Sequence, residues 1–188
     1  MTLAMRVRVD PPLETKRLIL REFAADDFDA VHAYAANSEV CRFMPWGPNS
    51  ESETRAFLSR VIEAQASEPR TCYDLAVALQ KSERVIGGCG LTIGSLEHRR
   101  AELGYCLNRE YWNQGYATES ARAMIDFGLR RLCLHRIYAH CDPDNPSSVR
   151  VLEKLGLRRE GFLREHQFVK GHWRDAYLYA ILEQEWDL

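Results

Sequence analysis

The chain has 188 residues, 46% apolar and 28% charged, a balance that suits one globular domain with a sizeable core rather than a disordered or fibrous chain. Its net charge of −2 gives no electrostatic footing for a nucleic-acid or membrane partner. No apolar run approaches the ~20 residues of a membrane span. The start, Met1 to Asp10, alternates Arg and Val without the apolar centre of a signal peptide, so a single cytoplasmic domain over residues 1–188 is expected.

Residues 15–23 read as a strand with Leu18 and Leu20 on one face. Asp26 is placed to cap a helix running to about Ala36, with Phe28, Val31, Tyr34 and Ala35 among its apolar positions. Arg42-Phe-Met-Pro-Trp-Gly-Pro48 is a loop, because its prolines and glycine prevent a regular element. Ser50-Glu-Ser-Glu53 is a capping box for a second helix, to about Ala66. Three strands follow at residues 73–79, 85–93 and 101–107, and His98-Arg99-Arg100 reads as a solvated hairpin tip.

Residues 117–132 form a longer helix whose stripe is Ala117, Ala121, Met124, Ile125, Leu129 and Leu132. A short strand at 135–141 is stopped by Asp142-Pro-Asp-Asn-Pro146. Asn145 then caps a helix with Pro146 in its first position, Val149, Leu152 and Leu155 on its buried face, and Gly156 closing it. Strands at 158–169 and 173–182 complete the chain. The order is neither alternating nor segregated, which predicts an α+β (mixed α/β) fold: a mostly antiparallel sheet of about seven strands flanked by about four helices. The six cysteines show no C-x-x-C pair and no metal-type spacing, so they read as small buried thiols and no metal is expected.

Chemistry concentrates between Glu102 and Glu119, where a strand ends, a turn follows, and a helix opens on Gly115 and Ala117. Unpaired N–H groups and the positive dipole end make a helix start an anion site, and small residues let a phosphate reach the backbone. Taken alone, such a start is more often tight packing. The G-x-G-x-x-G fingerprint of a dinucleotide-binding domain is absent.

Gln114-Gly115-Tyr116-Ala117-Thr118 resembles the acetyl-CoA-binding loop of the GNAT acetyltransferase superfamily, Arg/Gln-x-x-Gly-x-Gly/Ala. Gly115 and Ala117 match its last two positions, and Trp112 stands where Arg or Gln is usual. Gly104-Tyr-Cys-Leu with Tyr111-Trp-x-Gln-Gly-Tyr-Ala-Thr-Glu119 is similar to the Rim-type branch, which acetylates the N-termini of ribosomal proteins. Further anchors run from about residue 14 to 182: Thr15-x-Arg17-Leu18, Asp142-Pro-x-Asn145-x-x-Ser148, Glu153-Lys-Leu-Gly156, Arg159-Glu-Gly161 and Gly171-x-Trp-x-Asp175. The resemblance implies a GNAT fold and an acyltransferase that uses acetyl-CoA as co-substrate, without a metal, to acetylate a primary amine. A protein or peptide N-terminal α-amine is the expected acceptor. The alternatives are a small amine (polyamine, amino acid or antibiotic) or a non-catalytic acyl-CoA-binding module. Related enzymes are monomers or homodimers.

The resemblance also implies residue roles. The strand carrying Glu102 splays from its neighbour, so the pantetheine arm pairs with backbone near Cys106 and Leu107, and the Leu107 N–H holds the oxyanion. The pyrophosphate meets the N–H groups of Gln114, Gly115, Tyr116, Ala117 and Thr118. Asn145 lies beside the pantetheine arm while also capping its helix. Leu152 stands where many members carry a tyrosine acid. Ser148 therefore takes the thiolate-protonating role, unless it is an ordinary first-turn serine bonding Asn145. The base stays open between Glu102, Glu165 and His166. Glu165 and His166 flank the position where the branch has an acid and this chain has Gln167, and they alternate faces, so only one points inward. Tyr34, Phe43, Met44 and Trp46 either line the acceptor groove or pack their loop against the domain. His32 and His135 read as structural.

Overall fold

The computed structural model describes residues 9–186; most of the Met1–Asp10 stretch and the last two residues of the expected domain lie outside them. In chain order the regular elements are β1 (Leu13–Glu14), β2 (Leu18–Glu22), α1 (Phe28–Ala35), α2 (Ser38–Cys41), α3 (Glu51–Ala64), β3 (Cys72–Leu79), β4 (Val85–Ser95), β5 (Arg100–Leu107), α4 (Tyr116–Asp126), β6 (Arg136–Cys141), α5 (Pro146–Lys154), β7 (Arg158–Val169) and β8 (His172–Leu182). Among the described residues the strands form one eight-stranded sheet in the order β1-β2-β3-β4-β5-β6-β8-β7. Every neighbouring pair is antiparallel except β5 and β6.

The mixed, mostly antiparallel sheet matches the expectation, with one strand and one helix more than the sequence reading counted. The extra strand β1 pairs only Leu13 with Leu20 and Glu14 with Ile19, held by the Thr15 hydroxyl, which accepts from the Leu18 amide at 2.9 Å. The extra helix α2 opens on Asn37, whose side chain accepts from the Glu39 and Val40 amides. The Ser50 capping box forms as read, and Asn145 caps α5 with Pro146 in its first turn. The entry to α1 differs: a 3-10 turn, Ala25–Asp27, precedes it, and Asp27 rather than Asp26 is engaged. Two oxygens of Asp27 face the Arg21 guanidinium, and one also accepts from the Ala24 amide at 2.9 Å, which fixes the chain before the helix begins. The long helix is also not uniform, since α4 passes into a π-helical turn at Phe127–Arg131.

Alternation along the strands sends side chains to two apolar layers. Tyr73, Leu75 and Val77 of β3 join Leu103 and Leu107 of β5 and Ala121, Met124 and Ile125 of α4 on one face. Ala76 and Ala78 join Val31, Tyr34, Leu58 and Val61 of α1 and α3 on the other. Each fully buried aliphatic side chain contributes about 1.5–3 kcal/mol, so the helices are clamped on both faces by burial. Leu103, Tyr105 and Leu107 thereby turn toward α4 and α5, while Glu102, Gly104 and Cys106 turn toward α1 and α3.

Candidate active site

The sheet is interrupted in its middle. β5 and β6 pair in parallel only at Arg100 with Arg136, Ala101 with Ile137 and Glu102 with Tyr138. β5 runs on to Leu107 and β6 to Cys141, so beyond Glu102 their facing edges diverge. A cavity of about 890 Å³ opens at this divergence. Leu103, Gly104, Tyr105 and Cys106 line it from β5, and Ala139, His140 and Cys141 from β6. Backbone polar groups along a diverging strand edge lack their ladder partners and need others, which makes the split a place for an extended ligand to pair.

Different chemistry stands on the two sides. Toward α5, the Tyr105 hydroxyl lies 2.7 Å from Ser148 Oγ, and the Ser148 amide donates to Asn145 Oδ1 at 3.1 Å. Burial pushes the Tyr105 phenol well above its ordinary value, partly offset by the bond with Ser148, so Tyr105 keeps its proton at neutral pH. Toward α1 and α3, His140 Nδ1 lies 2.7 Å from Glu102 Oε1, and the rings of His140 and His166 pack 4.4 Å apart. Burial and the neighbouring His140 charge lower the His166 pKa against a smaller opposing effect of Glu102. Burial also pushes the cavity thiols Cys89 and Cys106 up to about 12, so neither is a nucleophile at neutral pH.

The start of α4 is built separately. Gly115 precedes the first turn with φ +82°, a left-handed conformation that side chains resist. No side chain caps this end, so the first-turn amides remain available. Glu119, one turn in, ties the helix to the β1–β2 turn. It accepts from Thr15 Oγ1 at 2.7 Å and from the Arg17 amide and Nε at 2.9 and 2.7 Å. The Arg17 guanidinium also donates to the Gln114 carbonyl at 3.0 Å and covers the Tyr116 ring at 4.3 Å. The Arg17 guanidinium, paired with Glu119, therefore stands beside a helix start with open amides.

Residues 17–158 match the acetyltransferase (GNAT) domain family. The chain belongs to the GNAT acetyltransferase family. It is 37% identical to an uncharacterised N-acetyltransferase of Bacillus subtilis, YnaD, over 93% of this chain and 99% of that one. It is 29% identical to a spermidine N(1)-acetyltransferase of Escherichia coli over 89% of this chain and 87% of that one. Among solved structures, a GNAT-family acetyltransferase from Bacillus anthracis superposes with a TM-score of 0.83 at 35% identity, covering 93% of this chain and 99% of that one. The protein is an acyltransferase of the N-acetyltransferase type.

Within this GNAT domain the cavity brings together Tyr34, Phe43, Met44, Trp46, Glu102, Cys106, Asn145, Ser148 and His166 of the residues read from sequence. Tyr34 is buried, and Trp46 packs against the α1–α3 layer, so the aromatic wall both lines the cavity and belongs to the core. Leu107 is a buried core side chain, leaving its backbone as the group of interest. Gln114 to Thr118 stand apart from the cavity lining, at the helix start described above. Glu165 and His166 do separate: β7 is irregular between Leu163 and Gln167, which leaves Glu165 exposed and turns His166 into the cavity. The Glu165 amide donates to Asp175 Oδ1 at 2.8 Å, which holds the bulge. Trp112, in the usual Arg/Gln position, donates its indole N–H to the Leu107 carbonyl at 2.9 Å. His32 bonds Thr54, and His135 bonds Glu183, both away from the cavity.

Four site features had escaped the sequence reading. Tyr105 stood inside the quoted Gly104-Tyr-Cys-Leu motif, and Arg17 inside Thr15-x-Arg17-Leu18, but nothing in either motif says what they touch. His140 precedes the Asp142-Pro stop by two positions, and its alternation with Ala139 and Cys141 was the available signal. Asp74 lines the cavity from β3, and its carboxylate accepts from the Cys72 thiol at 3.1 Å, with no cationic side chain within 4 Å of it among the described residues.

Proposed function

We propose that the protein transfers the acetyl group of acetyl-CoA to a protein or peptide N-terminal α-amine. The observation that supports this best is the split between β5 and β6, with Tyr105 and Ser148 on one side and Glu102, His140 and His166 on the other. Acetyl transfer needs a proton acceptor where the amine attacks and a proton donor where the thiolate leaves, and the split separates two such groups. When bound, acetyl-CoA supplies the activated thioester. The amides of Gln114 to Thr118, with Arg17 beside them, would hold its pyrophosphate, and the diverging β5 edge near Cys106 and Leu107 would receive the pantetheine arm. The Leu107 N–H would hold the oxyanion. The Ser148 hydroxyl, backed by Tyr105, would protonate the leaving thiolate, and the side of Glu102 would take the amine proton.

The α-amine reading rests on acid–base cost. An α-amine has a pKa near ~8 and a lysine-type amine near ~10.4, so the neutral α-amine at pH 7 costs about 3 kcal/mol less. Imidazole and carboxylate groups on the acceptor side suit the easier deprotonation. A second reading, a polyamine acceptor, is favoured by the likeness to a spermidine acetyltransferase and by the uncompensated Asp74 carboxylate in the cavity. Thiol release from acetyl-CoA, with mass analysis of product, separates them across short peptides with free N-termini, the same peptides blocked at the N-terminus but carrying lysine, and spermidine. Free-N-terminal peptides should be the preferred acceptors. Turnover restricted to spermidine would replace the first reading with the second, and CoA binding without any turnover would remove both.

A further inference from the structure

His140 and Glu102 face each other just past the last paired position of β5 and β6. A carboxylate only accepts, so the 2.7 Å contact places the proton of His140 on Nδ1 and leaves the lone pair on Nε2. Nε2 has no hydrogen-bond partner among the described residues, and His140 lines the cavity. The groups around the ring are few. Glu102 faces it from β5, Tyr138 from its own strand at 5.6 Å, and His166 from β7 at 4.4 Å. The Asp142–Arg174 pair, 3.9 Å apart, stands on the same cavity wall. Glu102 already has one oxygen engaged by the ring. Imidazole, with an ordinary pKa near ~6.5, also matches proton uptake at neutral pH better than a carboxylate near ~4.3.

We propose that His140 Nε2, rather than the Glu102 carboxylate, takes the proton from the acceptor amine, with Glu102 holding the ring in its tautomer and facing the charge that forms. This rests on the acetyl-transfer reading. The amine lone pair forms the C–N bond to the acetyl carbon, and the N–H proton passes to Nε2. The C–S bond breaks with its electron pair on sulfur, that thiolate takes the Ser148 hydroxyl proton, and Ser148 is reprotonated from solvent in the cavity. The imidazolium, held against Glu102, returns its proton to solvent at the cavity. His166 packs against the same ring, tilted by 31°, as a second imidazole and so opposes double charging. The arrangement resembles the carboxylate–imidazole half of a hydrolase triad.

The test uses the full chain with acetyl-CoA and an amine acceptor of low pKa, neutral throughout the range, so that the acceptor's own titration drops out. The wild type should show an acidic limb in kcat/KM. His140→Gln should lower kcat about 100-fold, leave the acetyl-CoA Kd within about twofold, and abolish that limb. Glu102→Gln should keep an acidic limb, displaced and at reduced rate. Nitrogen-15 NMR of the wild type gives an independent reading: His140 should be the Nδ1–H tautomer, and mixed in Glu102→Gln. If His140→Gln keeps the rate and the limb while Glu102→Gln loses both, or if His140 is the Nε2–H tautomer, the assignment to His140 is overturned and acetyl transfer stands. If the wild type acetylates no amine at all, the acetyl-transfer reading itself falls and takes the assignment with it.

Discussion

Replacing Glu119 with alanine tests whether the β1–β2 turn holds the start of α4 in place. The substitution removes three donors' partner at once, those of Thr15 Oγ1, the Arg17 amide and Arg17 Nε. Arg17 is 40% exposed and Glu119 18% exposed in their side chains, so solvent screening limits the ion pair to less than about 1 kcal/mol. The other two bonds reach a partly buried carboxylate and are worth about 1 kcal/mol each. The total, about 2–3 kcal/mol, corresponds to a fall in Tm of about 4–12 °C for a domain of this size. Because Arg17 also loses its anchor beside Gln114 and Tyr116, CoA affinity should weaken by about threefold to tenfold, close to 1 kcal/mol. Differential scanning fluorimetry and calorimetric titration of CoA measure both. An unchanged Tm, or a lowered Tm with CoA affinity untouched, would refute the view that this tether sets the helix start.

Ser148→Ala should lower kcat by about 100-fold while the CoA Kd holds, because the Asn145 cap bonds the Ser148 amide and survives; stopped-flow thiol release under single turnover reads this directly. Gly115→Ala places a Cβ at φ +82° and 3.4 Å from Arg17 Nη2, a strain of about 1–2 kcal/mol, and should lower both Tm and CoA affinity; a gain in Tm would contradict it. For acid stability, burial would raise the carboxyls of Asp27 and Glu119, but hydrogen bonds from Arg21 and Ala24, and from Thr15 and Arg17, outweigh it and hold both below their ordinary values. Their stabilisation is therefore complete above the unfolded carboxyl pKa near ~4 and lost as pH falls through the lower folded values. Urea unfolding at pH 7 and pH 3 should show a smaller pH effect in Asp27→Asn and Glu119→Gln than in the wild type.

Much of the fold was legible because it rests on local chemistry. Ser50-Glu53, Asn145-Pro146 and Gly156 announce their helix ends through side-chain and backbone rules that act within a few residues. β1 was not legible, since two residues carry no periodicity and the pairing depends on Thr15 bonding across the turn. Asp27 was misplaced by one because its partner Arg21 sits on the preceding strand, outside any capping rule. The helix start proposed to meet the donor could be read, as Gly115 and Ala117 have a backbone meaning independent of the rest of the fold. The acceptor side could not. Glu102, His140 and His166 lie on three strands, and their meeting depends on where β5 and β6 stop pairing and on the bulge that exposes Glu165. The Tyr105–Ser148 contact likewise spans 43 residues of sequence.

The donor is proposed to lie across the start of α4 and to enter the split between β5 and β6. Amide hydrogen exchange of the wild-type protein, with and without CoA, tests it most directly. The amides of residues 114–118 and the β5 edge at residues 103–107 should gain protection together on adding CoA, with little change at the β1–β2 pairing. Protection confined to other segments, with CoA demonstrably bound, would contradict the placement of the donor and the acetyl-transfer geometry that depends on it.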